Sequence, residues 1–467
     1  MGKSSFAHNL LIFLFCVTLV SETSTHVEGV FASTTVPAEY QQLYSFLDKT
    51  LTNFDSHIDS QSAVSSYPVI FGAELLPANC NRGTALLDTQ TMSAVRLYLD
   101  RLKELGVDGV TIPIGYPLYT PGFPRYDAYV QFYKQVAQEV RKRGMTLAVE
   151  SSVIFANTEF SSIQLDYSGL TFEKFEAERK EMVARIIEDT RPDYLNLGAE
   201  PDTQFELLHF EELANPAEYS EYVNHLLDGL DRGSTKIGAG IGSWGNLDYA
   251  RRLADGTTLD SIHLHVYPIY KDFLEKILTI SEIARQHGKR IVLDEAWLLK
   301  ADKPPTGIGS VAASPEHFRR DAFSFWAPLD QKFLTVIAKI AKLAQIEYIS
   351  PFWTQLFFAY IDYNSSNAHL SYRETSELVN RAASANLVGG SFSSTGEAYR
   401  KLVGGFTSIS AQGPTSTLST ALSQETTENA NDDQLPALAI GVMVAAIALV
   451  IIFFAAMWLR RSESGLG

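Results

Sequence analysis

Cysteine is almost missing from this 467-residue chain, which holds only two. Cys16 lies inside the N-terminal apolar run, so an exported form that loses this run keeps Cys80 alone and can close no disulfide within itself. A small fold stapled by disulfides is excluded, and a large core must hold the structure. Positive charge is scarce as well: 38 Lys and Arg face 54 Asp and Glu, a formal net charge of -16. Binding a polyanion requires clustered basic side chains that displace counterions, and no basic stripe is visible, so no nucleic-acid partner is expected. A dinucleotide fingerprint is also lacking. No Gly-x-Gly-x-x-Gly follows the first candidate strand, and Gly238-Ala239-Gly240-Ile241-Gly242 ends the fifth without the last glycine in place, so no cofactor is expected.

What is present reads as one large folded domain with special ends. A composition of 46% hydrophobic, 11% aromatic and 20% charged residues excludes the disordered and fibrous classes. Residues 1–25 place Lys3 before the apolar run 9–20 and small polar residues after it, the order of a secretory signal, with an uncleaved anchor as the other reading. Nearly every residue of 435–459 is apolar, enough to cross the roughly 30 Å hydrocarbon core as a transmembrane helix. Arg460 and Arg461 follow, which assigns 460–467 to a cytoplasmic tail and the rest to the outside of the cell. Residues 406–434 are rich in Ser, Thr, Asn and Asp and read as a stalk. The expected location is therefore the cell surface, with the membrane as one partner and a monomer as the expected state.

Within 26–66, Tyr40, Leu43, Phe46, Leu47, Leu51 and Phe54 recur at helical intervals and predict an amphipathic helix packed on the domain. The main domain, 67–405, alternates short apolar runs with helical stretches. Strands are expected at 69–75, 109–114, 146–151, 194–199, 236–239, 261–266, 290–294 and 348–353, and the helices between them end at Gly106, Gly144 and near Gly288, where a C-cap belongs. Eight strand-helix repeats favour an α/β fold of the (β/α)8 TIM-barrel type, with an open doubly wound sheet as the alternative.

In such a barrel the chemistry lies at the C-terminal strand ends. Strand four runs Tyr194 to Pro201, and strict alternation puts Leu195, Leu197 and Ala199 on the helix side and Asn196, Gly198 and Glu200 inside. Strand seven finishes on Leu293-Asp294-Glu295-Ala296-Trp297. Two glutamates thus face each other across the mouth. Strand six puts His263, His265 and Tyr267 on one face, beside the strand-seven glutamate. A zinc reading of His-x-His needs a third ligand that no motif supplies, so no metal is expected. Glu74 ends strand one and Glu150 nears the end of strand three; each could hydrogen-bond a polar ligand or make a plain structural bond. Tyr116, Tyr119, Trp244, Trp297 and Trp353 gather at the same strand ends, where aromatic faces stack on a ligand or simply fill the core. The stretch 298–325 is loop-rich and could wall a cleft, and Asn364-Ser365-Ser366 is a glycosylation sequon.

Over 67–402 the chain resembles the clan of (β/α)8 retaining glycoside hydrolases whose acid/base glutamate ends strand four and whose nucleophile ends strand seven. The resemblance implies Glu200, in Ala-Glu-Pro, as acid/base and Glu295, in Leu-Asp-Glu-Ala-Trp, as nucleophile. It also implies a polysaccharide or glycan substrate touched by Asn196, His263, His265, Tyr267, Trp244, Trp297, Trp353, Tyr116 and Glu74, with Trp353 as the floor of the sugar subsite. Two positions depart from the clan. Its usual Asn before the acid/base is Ala199 here, and its common arginine at the end of strand two is replaced by Ile112-Pro113-Ile114. Asn196 or Asn246 could take over from the missing Asn. Two other readings stay open: an inert barrel serving as a carbohydrate-binding or adhesion module, and a barrel enzyme of other chemistry, such as a lyase or a metal-dependent hydrolase.

Overall fold

The computed structural model describes residues 35–60, 67–300 and 316–411. The expected signal, most of the stalk, the apolar stretch 435–459 and the tail lie outside the described residues. Among those described, no helix is long and apolar enough to cross a membrane.

All eight expected strands are present and parallel: β1 (Ile70–Phe71), β2 (Gly109–Tyr116), β3 (Thr146–Val153), β4 (Tyr194–Asn196), β5 (Lys236–Gly242), β6 (Ser261–Val266), β7 (Arg290–Ala296) and β8 (Tyr348–Pro351). They pair in the order β1-β8-β7-β6-β5-β4-β3-β2. The amides of Asp108 and Thr111 then donate to the carbonyls of Phe71 and Ala73 at 2.8 and 3.1 Å, which joins β2 back to β1 and closes the barrel. The open doubly wound sheet is ruled out by that closure.

Strand lengths differ from the expected ones for local reasons. β4 stops at Asn196 because the side-chain Oδ1 of that residue accepts the Gly198 amide at 2.8 Å, a local bond that competes with the ladder. Gly106 and Gly144 take φ of 85° and 63°, the left-handed turn that ends the helices Thr91–Glu104 and Tyr126–Lys142. The glycine-rich β5 has a steric cause. A Cβ on Gly240 would lie 1.7 Å from the His263 carbonyl oxygen and one on Gly238 would lie 2.1 Å from the His263 ring, so β5 is bare where β6 leans into the barrel.

The floor of the barrel is filled by Ala148, Tyr194, Val292 and Tyr348, the two tyrosine rings 5.8 Å apart. The predicted N-terminal helix spans Gln41–Ser60 and buries Leu47, Leu51 and Phe54, each worth about 1.5–3 kcal/mol, whereas Phe46 stays 42% exposed. Between β8 and the last helix, Ser394–Ala411, an additional helix, Tyr372–Gly389, lines the cavity above the strand ends.

Candidate active site

A cavity of about 1630 Å³ opens over the C-terminal strand ends, and Glu200 and Glu295 both line it. Glu200 follows β4 as the residue before the helix Pro201–Leu208, and Glu295 sits near the end of β7. The two carboxylates and the His265 imidazole each offer one atom, and these three atoms lie within 4.8 Å of one another. Nδ1 of His265 is 2.7 Å from Glu200 Oε1 and 3.6 Å from Glu295 Oε2. Since a carboxylate only accepts, Nδ1 carries the proton of the shorter contact. Thr203 Oγ1 donates to the other oxygen of Glu200 at 2.6 Å, and the Tyr267 hydroxyl donates to Glu295.

Strict alternation fails once, and the failure adds a carboxylate. The β6/β7 register pairs Leu264 with Leu293 and then His265 with Glu295, skipping Asp294. This bulge lets two successive residues turn toward the interior. Asp294, 1% exposed, accepts from Asn196 Nδ2 at 2.8 Å and contacts His263 Nδ1 at 2.6 Å through one oxygen. Its other oxygen is 3.5 Å from His265 Nε2, and Glu150 Oε1 lies 3.3 Å from the same nitrogen. These two distances suit ion pairs, but the angles do not suit hydrogen bonds, and all three atoms lack a hydrogen-bond partner.

Charge therefore dominates the site. Burial alone would depress the His265 imidazole, but Glu295, Glu150 and Glu200 together lift it well above its ordinary value. Burial pushes the Glu295 carboxyl well up, His265 opposes this, and the charges of Glu150 and Glu200 add to it. Burial likewise raises Glu150 to about 7 despite His265, and raises Asp202 to about 6 with help from the charge of Glu200. Asp294 goes the other way: burial resists, yet His263, His265 and Asn196 hold it ionised.

The remaining predicted residues divide into two groups. Tyr267, His265, Glu74 and Trp353 reach the cavity. Glu74 is buried, raised to about 7 by burial, and bonds Asn79 Nδ2 at 2.9 Å and the Trp353 amide at 3.1 Å. The second bond steadies Trp353, whose φ of 53° is strained for a side chain of this size. Asn196 borders the cavity, but its amide is spent on Asp294 and Gly198. His263 is fully buried beneath the site, between Asp294 and Ser261 Oγ at 3.0 Å. Three aromatics are packed elsewhere than on the cavity wall. Tyr116 bonds Glu178 and meets Phe175, Trp244 donates to Asp202 at 2.7 Å, and Trp297 is 1% exposed against Phe357. Tyr119 is core, and Asn246 accepts from the Asp248 amide at a helix start.

Asp294, Asp202 and Thr203 were not singled out by the sequence. The adjacent acids Asp294-Glu295 were the available signal, and strict alternation with Glu295 inside would leave no place there for its neighbour. Two three-residue sets could hold a metal ion: Glu150, His265 and Asp294, all buried, and Glu200, His265 and Glu295.

No protein-family model matches the chain, and no curated protein does. Among solved structures it is similar to the exo-β-1,4-mannosidase Op5Man5 from Opitutaceae bacterium strain TAV5, at 15% identity and a TM-score of 0.46, covering 73% of this chain and 60% of that one. It is also similar to GH5_18 from Bifidobacterium longum subsp. longum, at 15% identity and 0.45, covering 73% and 80%. A third is a β-glucosidase from Exiguobacterium marinum, at 10% identity and 0.41, covering 72% and 98%.

Proposed function

We propose that this chain is a retaining O-glycoside hydrolase that cleaves β-linked glycans outside the cell, with Glu200 as acid/base and Glu295 as nucleophile. The observation that carries the reading is the approach of two carboxylates from opposite walls of a closed barrel, an oxygen of each within 4.8 Å, at the bottom of a large cavity. A spacing of about 5–5.5 Å leaves no room for a water between carboxyl and anomeric carbon, so the second carboxylate attacks directly and configuration is retained. A wider gap, about 6.5–9.5 Å, would belong to inversion.

Double displacement requires the proton that His265 Nδ1 shares with Glu200 at 2.7 Å to stand on Glu200 when substrate is bound, with Glu295 ionised. Tyr267 O–H and the His265 imidazolium both favour the Glu295 anion, while burial and the charges of Glu150 and Glu200 oppose it. Glu200 then donates to the leaving group as Glu295 bonds the anomeric carbon. In the second half Glu200 takes a proton from water, which breaks the glycosyl ester. The sequence at 1–25 and 435–459 supports an exported chain held at the cell surface by one helix.

One observation favours a second reading, a barrel that binds glycans without cleaving them. Ala199 offers no donor to a sugar hydroxyl, and Asn196 is occupied below. Turnover separates the two. The full-length chain incubated with aryl β-glycosides and a polysaccharide panel is expected to release phenol or reducing sugar. Glu295→Gln is expected to abolish release while glycan binding survives. Turnover that persists in Glu295→Gln would remove Glu295 as the nucleophile, and binding without any turnover by the wild type would overturn the hydrolase reading.

A further inference from the structure

Beneath the two catalytic carboxylates, three buried atoms converge without hydrogen-bond partners: His265 Nε2, Glu150 Oε1 and Asp294 Oδ1. Their residues are 6%, 5% and 1% exposed, and in place of water each atom meets only the ion-pair contacts within the trio. The nitrogen stands 3.3 Å from one oxygen and 3.5 Å from the other. Ligands at about 2.0–2.2 Å from a tetrahedral ion stand about 3.4 Å apart; these two spacings match that separation, and all three atoms lie within 4.8 Å of one another.

The surroundings have the form of a second shell. A metal-bound histidine normally gives its other N–H to a carboxylate, and His265 Nδ1 is 2.7 Å from Glu200. A ligating carboxylate is normally braced as well, and the spare oxygen of Asp294 is held by Asn196 and His263. Among the described residues, Glu150, Glu200, Asp294 and Glu295 form no ion pair with lysine or arginine. Their excess negative charge meets only two imidazoles.

We propose that Glu150, His265 and Asp294 form a binding site for one divalent transition-metal ion. One imidazole nitrogen and two carboxylates suit zinc or manganese better than calcium, which prefers a shell of oxygens. Binding sends the Nε2 proton to solvent and leaves two positive charges below Glu200 and Glu295. If Glu295 is the nucleophile proposed above, the ion holds it ionised where this barrel has no strand-two arginine. The binding itself does not depend on that reading.

The test uses the full-length chain. Elemental analysis after purification without chelator is expected to give about one zinc or manganese per chain. After EDTA treatment, calorimetric titration with zinc chloride or manganese chloride is expected to restore one site and raise the melting temperature. Asp294→Asn removes the site, and His263→Gln, which unbraces Asp294, weakens it about 10–100-fold. If Asp294→Asn fails to fold, the wild-type titration decides alone. A folded wild type that holds no stoichiometric metal and shows no binding to either ion would overturn the site, leaving an imidazolium between two carboxylates. Glycoside turnover is scored separately: activity in a wild type that binds neither ion removes the site and keeps the hydrolase, and stoichiometric metal without activity does the reverse.

Discussion

Replacing Glu74 by glutamine isolates the cost of keeping a carboxylate at the cavity wall. Glu74 is 1% exposed, and burial pushes it from 4.5 to about 7. Bonds from Asn79 and the Trp353 amide oppose that rise, and the charge of Glu150 assists it. The folded chain therefore grips this proton more tightly than the unfolded one. The stabilisation is whole below about 4.5 and is lost as pH rises through about 7. At about 1.36 kcal/mol for each pH unit across that interval, the loss is about 3 kcal/mol. Glutamine copies the protonated acid in shape and cannot ionise. Urea unfolding of both chains at about pH 5, where part of the effect is already lost, and at about pH 8.5 should show the wild type losing about 2.5 kcal/mol more than Glu74→Gln over that range. Parallel pH profiles would refute the reasoning, because Glu74 would then keep one protonation state throughout.

Three further outcomes are expected. Lys300→Met strands Asp330, whose oxygen is 2.5 Å from the buried ammonium, and Asp321 at 3.8 Å; it should cost about 3–5 kcal/mol in urea unfolding, and an unchanged midpoint would contradict it. Gly240→Ala drives a Cβ to 1.7 Å from a backbone oxygen of β6, and should cost about 3 kcal/mol or more; a wild-type melting temperature would show that β5 and β6 part easily. Tyr267→Phe removes the hydroxyl bonded to Glu295, worth about 1.5–3 kcal/mol to a charged acceptor, so kcat/KM on an aryl glycoside should fall about 10–100-fold. Undiminished kcat/KM would free Tyr267 of that role.

The barrel was legible because apolar runs and capping glycines mark strands and helices without reference to distant partners. The end of β4 was not, since it depends on whether Asn196 bonds the ladder or its own neighbour at Gly198. The same contrast holds in the site. Glu200, Glu295, His265 and Tyr267 fall where alternation puts them, and the structure brings all four together. Asp294 escaped because a bulge is a property of two paired strands and leaves no mark in either one alone. Of the tryptophans, Trp353 lines the cavity while Trp244 and Trp297 fill the core, the two roles that the sequence left open. A strand end fixes where Trp244 and Trp297 begin, but their rings are long enough to turn into the core, where Asp202 and Phe357 meet them. His263 shows the converse: its face was read correctly and its depth was not, because alternation gives direction and no height along the barrel axis.

The helix Gln41–Ser60 sets a practical limit on shortening this protein. Its Tyr40 and Tyr44 neighbours stack on Phe325 and Trp326 at 5.4 and 5.7 Å, and Lys339 reaches across to Asp55 at 2.7 Å. Trp326 in turn lies 5.9 Å from the Lys300 ammonium, just beyond the strand that bears Glu295. A crystallographer who trims the gene to its first strand would strip the cover from the segment behind the cavity, so expression boundaries belong upstream of residue 35.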